Sequence, residues 1–222
     1  MEICSTPDFI SCLIFSKNHY IEETMASLDL KEFSRKFDFL SPEDIGLIMQ
    51  HVHIEQLKKG DFFIRAGEMS RNIALVQEGL LRCFYIKENG EEVNAFFRWE
   101  GTVIGAYECI IKETVSSQYI QAIEDCILMS MDFSKLEKLY DENRNLERAG
   151  KMLLQNTLSE ALQKIASFIT DSPETRYIKL LEEYPELNQR IPNKYIASFL
   201  GITPVSLSRI RSRIHKSKSE LK

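Results

Sequence analysis

Seven short runs rich in β-branched and aromatic residues fill positions 52 to 133: Ile54–Leu57, Asp61–Ile64, Ile73–Gln77, Leu80–Ile86, Glu92–Phe97, Gln118–Ala122 and Ile127–Met131. Gly60, Gly67, Gly79, Asn89-Gly90, Gly101 and Gly105 lie between them. Short strands with turn signals at such close intervals point to a sandwich or barrel around one hydrophobic interior. Asn89-Gly90, between Phe84-Tyr85-Ile86 and Val93-Asn94-Ala95-Phe96, is the strongest hairpin signal. It suits a type I′ turn, whose two central residues both take positive φ.

On either side of this zone the pattern is different. Residues 1 to about 50 read as helical or irregular, and Ser41-Pro42-Glu43-Asp44 is a well-formed helix start. From Phe133 to Ile169 the apolar residues recur largely at helical spacing: Leu146, Ala149, Met152, Leu153, Leu158, Leu162, Ile165, Ala166 and Ile169. No proline occurs from 134 to 172, and Gly150 is the single glycine. A helix over 145–170 would be about 38 Å long. It has more than one apolar stripe, so one can rest on the barrel while another meets a second helix of this chain or of a second copy. Asp171-Ser172-Pro173 ends it and starts another helix, which stops before Pro185. The predicted division is an extension at 1–34, a β domain at 35–144, the long helix at 145–170 and a terminal helical domain at 171–222.

Composition excludes several classes. The 222 residues are 44% hydrophobic and 27% charged with a net charge of −5, as in a packed globular chain. No apolar run approaches the roughly 20 residues of a membrane span. The apolar stretch Phe9–Phe15 lacks the basic lead-in of a secretory signal. Five scattered cysteines (4, 12, 83, 109 and 126) form no disulfide framework, which favours a reducing, cytosolic compartment without a membrane partner. The charge is divided: residues 171–222 carry a net +4 and the first 170 carry −9. An acidic body with a basic end suggests nucleic-acid contact at that end.

The basic end has a scaffold. In the segment from Ile191 to Ile214, a first helix from about Asn193 to Leu200 faces Ile196, Ala197 and Leu200 inward. Gly201 stands at the left-handed C′ position. Thr203-Pro204 caps a second helix with Leu207, Ile210 and Ile214 on one face, and Val205, Ser206, Ser208, Arg209 and Ser212 largely on the other. Two short helices about a glycine turn match a helix-turn-helix. The plain alternative is an exposed basic helix. As a reading helix, its N-terminal residues Pro204, Val205, Ser206, Ser208 and Arg209 face base edges. Arg209 can bond guanine twice, whereas Pro204 and Val205 can touch only thymine methyls or sugar. Lys194, Thr203, Arg211 and Arg213 are placed for phosphates.

The glycine-punctuated β zone, long helix and helix-turn-helix together resemble the Crp/Fnr transcription regulators over roughly residues 35 to 216. Gly60-Asp61, Gly67-Glu68, Gly79, Asn89-Gly90 and Gly105 stand where that family's β-roll turns occur. The run Gly-Ile-Thr-Pro-Val-Ser-Leu-Ser-Arg-Ile is like its recognition motif, and the family's late arginine falls on Arg209. The resemblance implies an α+β fold. Its parts are an N-terminal double-stranded β-helix or jelly roll of cyclic-nucleotide-binding-like type, a long dimerisation helix and a C-terminal winged helix-turn-helix. It also implies a homodimer on palindromic double-stranded DNA, a small-molecule effector and RNA polymerase as partners, and no enzymatic activity.

The effector region departs from the cyclic-nucleotide binders. Those hold ribose with a Gly-Glu pair and phosphate with an Arg-Ser pair. In the matching stretch Gly105 and Ser117 remain, but Ala106 stands for the carboxylate and Ser116 for the arginine. Without that charge-assisted partner, cyclic AMP should bind weakly or not at all. The candidate effector pocket is then Gly105, Ala106, Tyr107, Ser116 and Ser117, open to another ligand or filled by Tyr107, Tyr119 and Phe97.

No cofactor is expected. Cys4 and Cys12 lack a C-x-x-C and cannot supply the four thiolates of an iron–sulfur cluster. The alternative function is a metal-dependent, cupin-type β-barrel enzyme with a helical tail. His51 and His53 would share one strand face, but the next histidine is His215, in the reading helix. Open catalytic metal sites usually have three protein ligands, so no metal is expected.

Overall fold

The computed structural model describes residues 37–220, with side chains to residue 214. The extension at 1–34, with Cys4 and Cys12, lies outside the described residues. Eight strands form the β zone: β1 (His53–Leu57), β2 (Phe62–Ile64), β3 (Asn72–Glu78), β4 (Leu81–Ile86), β5 (Glu92–Arg98), β6 (Val103–Gly105), β7 (Tyr119–Ala122) and β8 (Cys126–Asp132). They make two four-stranded sheets in the orders β1-β8-β3-β6 and β2-β7-β4-β5, all antiparallel and neither closed on itself. Val76, Ile104 and Leu128 from one sheet meet Ile64, Leu81 and Ile120 from the other in one apolar interior. Period-2 alternation places these residues inward and their neighbours outward.

Sequence reading did not foresee β6 and α2 (Tyr107–Lys112). β6 is three residues long, and α2 starts at Ala106 with no side-chain cap. Neither carries a local signal. The Asn89-Gly90 hairpin also differs from the expected type I′ turn. Gly90 N–H donates to the Lys87 carbonyl, and only Gly90 (φ 82°) is left-handed. This is the longer hairpin loop with one left-handed glycine, and it leaves Asn89 in an ordinary conformation.

Helices cover both sheets. α1 (Pro42–Met49) begins with a capping box in which Ser41 and Asp44 exchange side-chain and backbone bonds. α3 (Phe133–Glu142) leads into α4 (Arg144–Thr170), which is 27 residues long. Asn143 caps α4 by accepting from Asn145 N and Leu146 N. Asp44 ties these two helix starts together, because Asn143 Nδ2 and Asn145 Nδ2 both donate to its carboxylate. Burial alone would raise the Asp44 pKa, but the bonds from Ser41, Asn143 and Asn145 hold it below the usual value. Gly150 is needed on α4, since a Cβ there would lie 2.3 Å from the Tyr140 hydroxyl. Ile73 and Met131, on the outer face of the first sheet, pack with Leu136, Leu139 and Leu146 of these helices.

The other side of α4 is open. Leu154, Leu158, Leu162, Ile165 and Ile169 are each at least 50% exposed and recur at steps of four, four, three and four. They form one unpartnered apolar stripe.

The terminal helices are α5 (Pro173–Glu183), α6 (Leu187–Arg190), α7 (Asn193–Phe199) and α8 (Pro204–Glu220). Their core, with Tyr177, Leu187, Ile196, Leu200, Leu207 and Ile210, is continuous with Leu80, Phe97 and Ile123 of the β zone. Among the described residues no strand follows β8. The strands of the expected wing are therefore absent from that part of the chain. Between Pro185 and Pro192 the short α6 stands in place of a hairpin, in a stretch whose only β-branched residue is Ile191.

Candidate nucleic-acid interface and effector region

The turn between α7 and α8 is built from its backbone outward. Ile202 N–H donates to the Ala197 carbonyl and Gly201 N–H to that of Ser198. Together these bonds make the Schellman closure of a helix end. Gly201 (φ 68°) takes the left-handed position, and a Cβ on it would sit 2.8 Å from the Phe168 ring. Glycine is thus required both by backbone conformation and by the close approach of α4. Thr203 Oγ1 accepts from Ser206 N, which caps α8. Leu207 and Ile210 are buried on the inner face of α8.

The outer face of α8 is what remains. Thr203, Pro204, Val205, Ser208, Arg209 and Ser212 are exposed, and Ser206 is partly buried beside the cap. Lys194 is exposed on α7, with its ammonium 4.8 Å from the Tyr195 ring centre. Arg211 behaves otherwise. Its guanidinium donates to Tyr177 Oη (2.8 Å), Asn193 Oδ1 (2.6 Å) and Asn188 Oδ1 (2.7 Å). This cation, assigned to phosphate contact from its position in sequence, joins α8 to α5, α7 and the α6 turn. Arg213 forms an exposed bridge with Glu174 at 3.0 Å.

The head is held against the second sheet. Ser198 Oγ accepts from Asn94 N and donates to the Glu92 carbonyl. Arg82 is 3% exposed, bonds Gln121 and Glu92, and lies between the rings of Phe84 and Tyr195. Arg190 reaches both Glu100 and Glu124 on loops of the β zone, and these carboxylates raise its pKa further above the normal arginine value. Nothing in the local pattern of Arg82 or Arg190 reveals these roles, because their partners are distant in sequence.

The region matching the effector pocket is closed on itself. Gly105 packs where a Cβ would meet Ile73 Cγ2 at 2.9 Å, and Ala106 is fully buried. Burial also raises the pKa of the Tyr107 phenol. Ser116 Oγ donates to the Gln118 carbonyl and accepts from Gln118 N. Ser117 donates from both its amide (2.5 Å) and its hydroxyl (2.7 Å) to Glu108 Oε1. The donors that would face an anionic ligand here already hold a carboxylate from the same chain.

Other candidate chemistry does not assemble. His51 and His53 are both exposed, and no cluster of three or more His, Cys, Asp or Glu residues able to hold a metal occurs among the described residues. Cys83, Cys109 and Cys126 are buried free thiols, and burial pushes the Cys83 and Cys126 pKa values up to about 11. No described helix is long and apolar enough to cross a membrane.

Comparison with known proteins agrees with this architecture. Residues 54–143 match the cyclic nucleotide-binding domain family. The chain is 22% identical over 174 residues to the fumarate and nitrate reduction regulatory protein of Vibrio cholerae, covering 73% of this chain and 68% of that protein. Among solved structures, FixK2 from Bradyrhizobium japonicum superposes with a TM-score of 0.68 at 18% identity, covering 75% of this chain and 86% of that one. A structure from Eubacterium rectale, described as a transcriptional regulator of the Crp/Fnr family, gives 0.63 at 17% identity over 81% and 86%. In its fold and in the order of its parts, the chain is similar to the Crp/Fnr family regulators.

Proposed function

We propose that the protein is a cytoplasmic, homodimeric, DNA-binding transcription regulator. It reads a palindromic site through α8, meets RNA polymerase there, and answers to a small effector other than cyclic AMP. The observation that carries this reading is the face that the Gly201 turn leaves to solvent: Val205, Ser208 and Arg209 exposed near the start of a helix whose other face is buried. A helix so mounted enters the major groove with those residues at the base edges. Arg209 supplies bidentate recognition of guanine; Val205 and Pro204 supply apolar contact with thymine methyls. Lys194 and Thr203 meet phosphates, and Arg213 can exchange Glu174 for one. Arg211 keeps α8 seated on the head.

The apolar stripe of α4 serves as the dimer seam. A groove of about 840 Å³ between α2, α3 and α4 continues that surface, with Ile111 and Leu154 in its lining. Two copies joined along α4 present two reading helices to half-sites about 34 Å apart.

Titrating operator DNA at increasing salt tests the reading. Affinity should fall steeply and linearly on logarithmic axes as phosphate counterions are released. Arg209→Ala should cost roughly 1–3 kcal/mol on the preferred site and relax preference at one base pair. An equal loss on random DNA would reduce Arg209 to a phosphate contact.

A further inference from the structure

A second cavity lies where the β zone, α4 and the head meet, with a volume of about 430 Å³. Its apolar lining is mostly aromatic, with Phe97, Trp99, Phe168, Tyr184 and Phe199 beside Leu180 and Leu187. Four cations border it. Two are matched by carboxylates: Arg98 bonds Glu160 at 2.9 Å, and Lys179 bonds Asp171 at 2.8 Å. The other two, Lys164 and Arg176, form no close ion pair among the described residues, although the charge of Arg176 helps lower the pKa of the neighbouring Asp171 carboxyl. Lys164 Nζ donates to the Ala95 carbonyl and sits 3.5 Å from the Phe199 ring centre. Arg176 spends both terminal nitrogens on the carbonyls of Ser167, Asp171 and Leu200, and its buried Nε has no partner. A largely desolvated cation without a counter-charge is costly. Desolvation accordingly lowers the Lys164 pKa to about 7, with Arg176 adding repulsion and Cys83 opposing it.

We propose that this cavity binds a small carboxylic acid with an aromatic or apolar body, and that its occupancy sets how the head is held on the β zone. The volume falls in the range of small-molecule sites, which are mostly apolar with a few placed polar groups. The free donors are few: the spare protons of Lys164 and the single Nε–H of Arg176. That number suits the two oxygens of a carboxylate better than the three of a phosphate ester. Glu160, Asp171 and Glu183 on the rim also disfavour a second negative charge. Lys164 belongs to α4, Phe97 to β5, and Arg176 and Phe199 to the head, so a ligand here touches all three parts at once. The cavity is separate from the closed loop around Glu108, and it lies on a different side of α4 from the stripe at Leu158 and Ile165.

The regulatory half of this proposal rests on the DNA-binding reading, whereas the binding half does not. Trp99 is the only tryptophan in the chain, so its fluorescence reports on the cavity. The probes are 4-phenylbutyrate, its neutral amide and inorganic phosphate, titrated into the full-length protein without DNA. The acid should give a saturable change, with the amide weaker by roughly ten-fold or more, as expected for loss of a charge-assisted bond. Lys164→Met should lose about the same factor, and Lys164→Arg should recover it, with thermal melts showing both variants folded. Equal binding of acid and amide, tighter binding of phosphate, or no saturation below about 10 mM overturns the binding proposal. Operator titration is then repeated with and without the acid. An unchanged DNA affinity overturns the regulatory half, whereas absence of any specific DNA binding defeats the DNA reading and leaves the fluorescence result standing.

Discussion

The loop around Glu108 and the outer face of α8 both present polar groups suited to an anion, yet they stand in opposite states. In the loop, the Ser117 amide and hydroxyl already hold Glu108, and Ser116 is closed on Gln118. On α8, Arg209, Ser208 and Ser212 face solvent. An anion entering the loop must displace a carboxylate tethered on the same chain, whose effective concentration is high. An anion reaching α8 displaces only water and counterions. A binding-domain fold therefore does not carry its usual ligand with it. What decides is whether the donors are already satisfied.

The contrast can be broken most forcefully at the proposed dimer seam, which would give α8 its second copy. Replacing Leu158 and Ile165 together with Asp should make the protein monomeric in sedimentation. Operator affinity should fall by about 100-fold or more as bivalency is lost. A double variant that stays dimeric would show that the stripe serves another purpose. Gly201→Val comes next, combining a left-handed φ with overlap against Phe168. It should destabilise the head by about 3 kcal/mol, read as an earlier unfolding step. An unchanged melt would mean the turn tolerates a side chain.

The loop itself offers a smaller test. Glu108→Ala removes the acceptor from Ser117 and should cost about 1 kcal/mol of stability. Neither the natural chain nor this variant should bind cyclic AMP at micromolar concentration in calorimetry, because the arginine is missing from both. Tight binding by the natural chain would contradict the closed-loop picture, and tight binding by the variant alone would show that Glu108 was the sole obstacle. The smallest expected effect concerns acid stability. The Asp44 pKa is lower in the folded chain than its unfolded value, so its contribution is present above that unfolded value of 3.8 and is lost as pH falls through the folded one. Asp44→Asn should therefore lower the melting temperature at neutral pH and narrow the gap to the natural chain below about pH 4. A gap that is constant with pH would assign the effect to packing instead.

How far the sequence could be read depended on the range of the interactions. Ser41, Ser172 and Thr203 announced their helices because a cap bonds the backbone two or three residues away. The Gly201 turn was legible for the same reason. β6 is too short to show a period, and Asn89-Gly90 specified a hairpin without specifying which turn. The pairing of Arg211 with Tyr177 and the clamp of Arg190 on Glu100 span 34 and 90 positions, and no local pattern encodes them.

By itself, then, the chain determined most of its strands and helices, though not β6, α2 or α6, together with its basic end and the turn that mounts α8, since each follows from neighbours within a few residues. Tertiary structure decided which cations remain free and which are consumed. It seated Arg211 inside the head, filled the loop with Glu108, and left Lys164 beside an aromatic cavity without a carboxylate partner. Electrostatic satisfaction depends on distances in space, and folding sets those distances between residues that sequence keeps far apart.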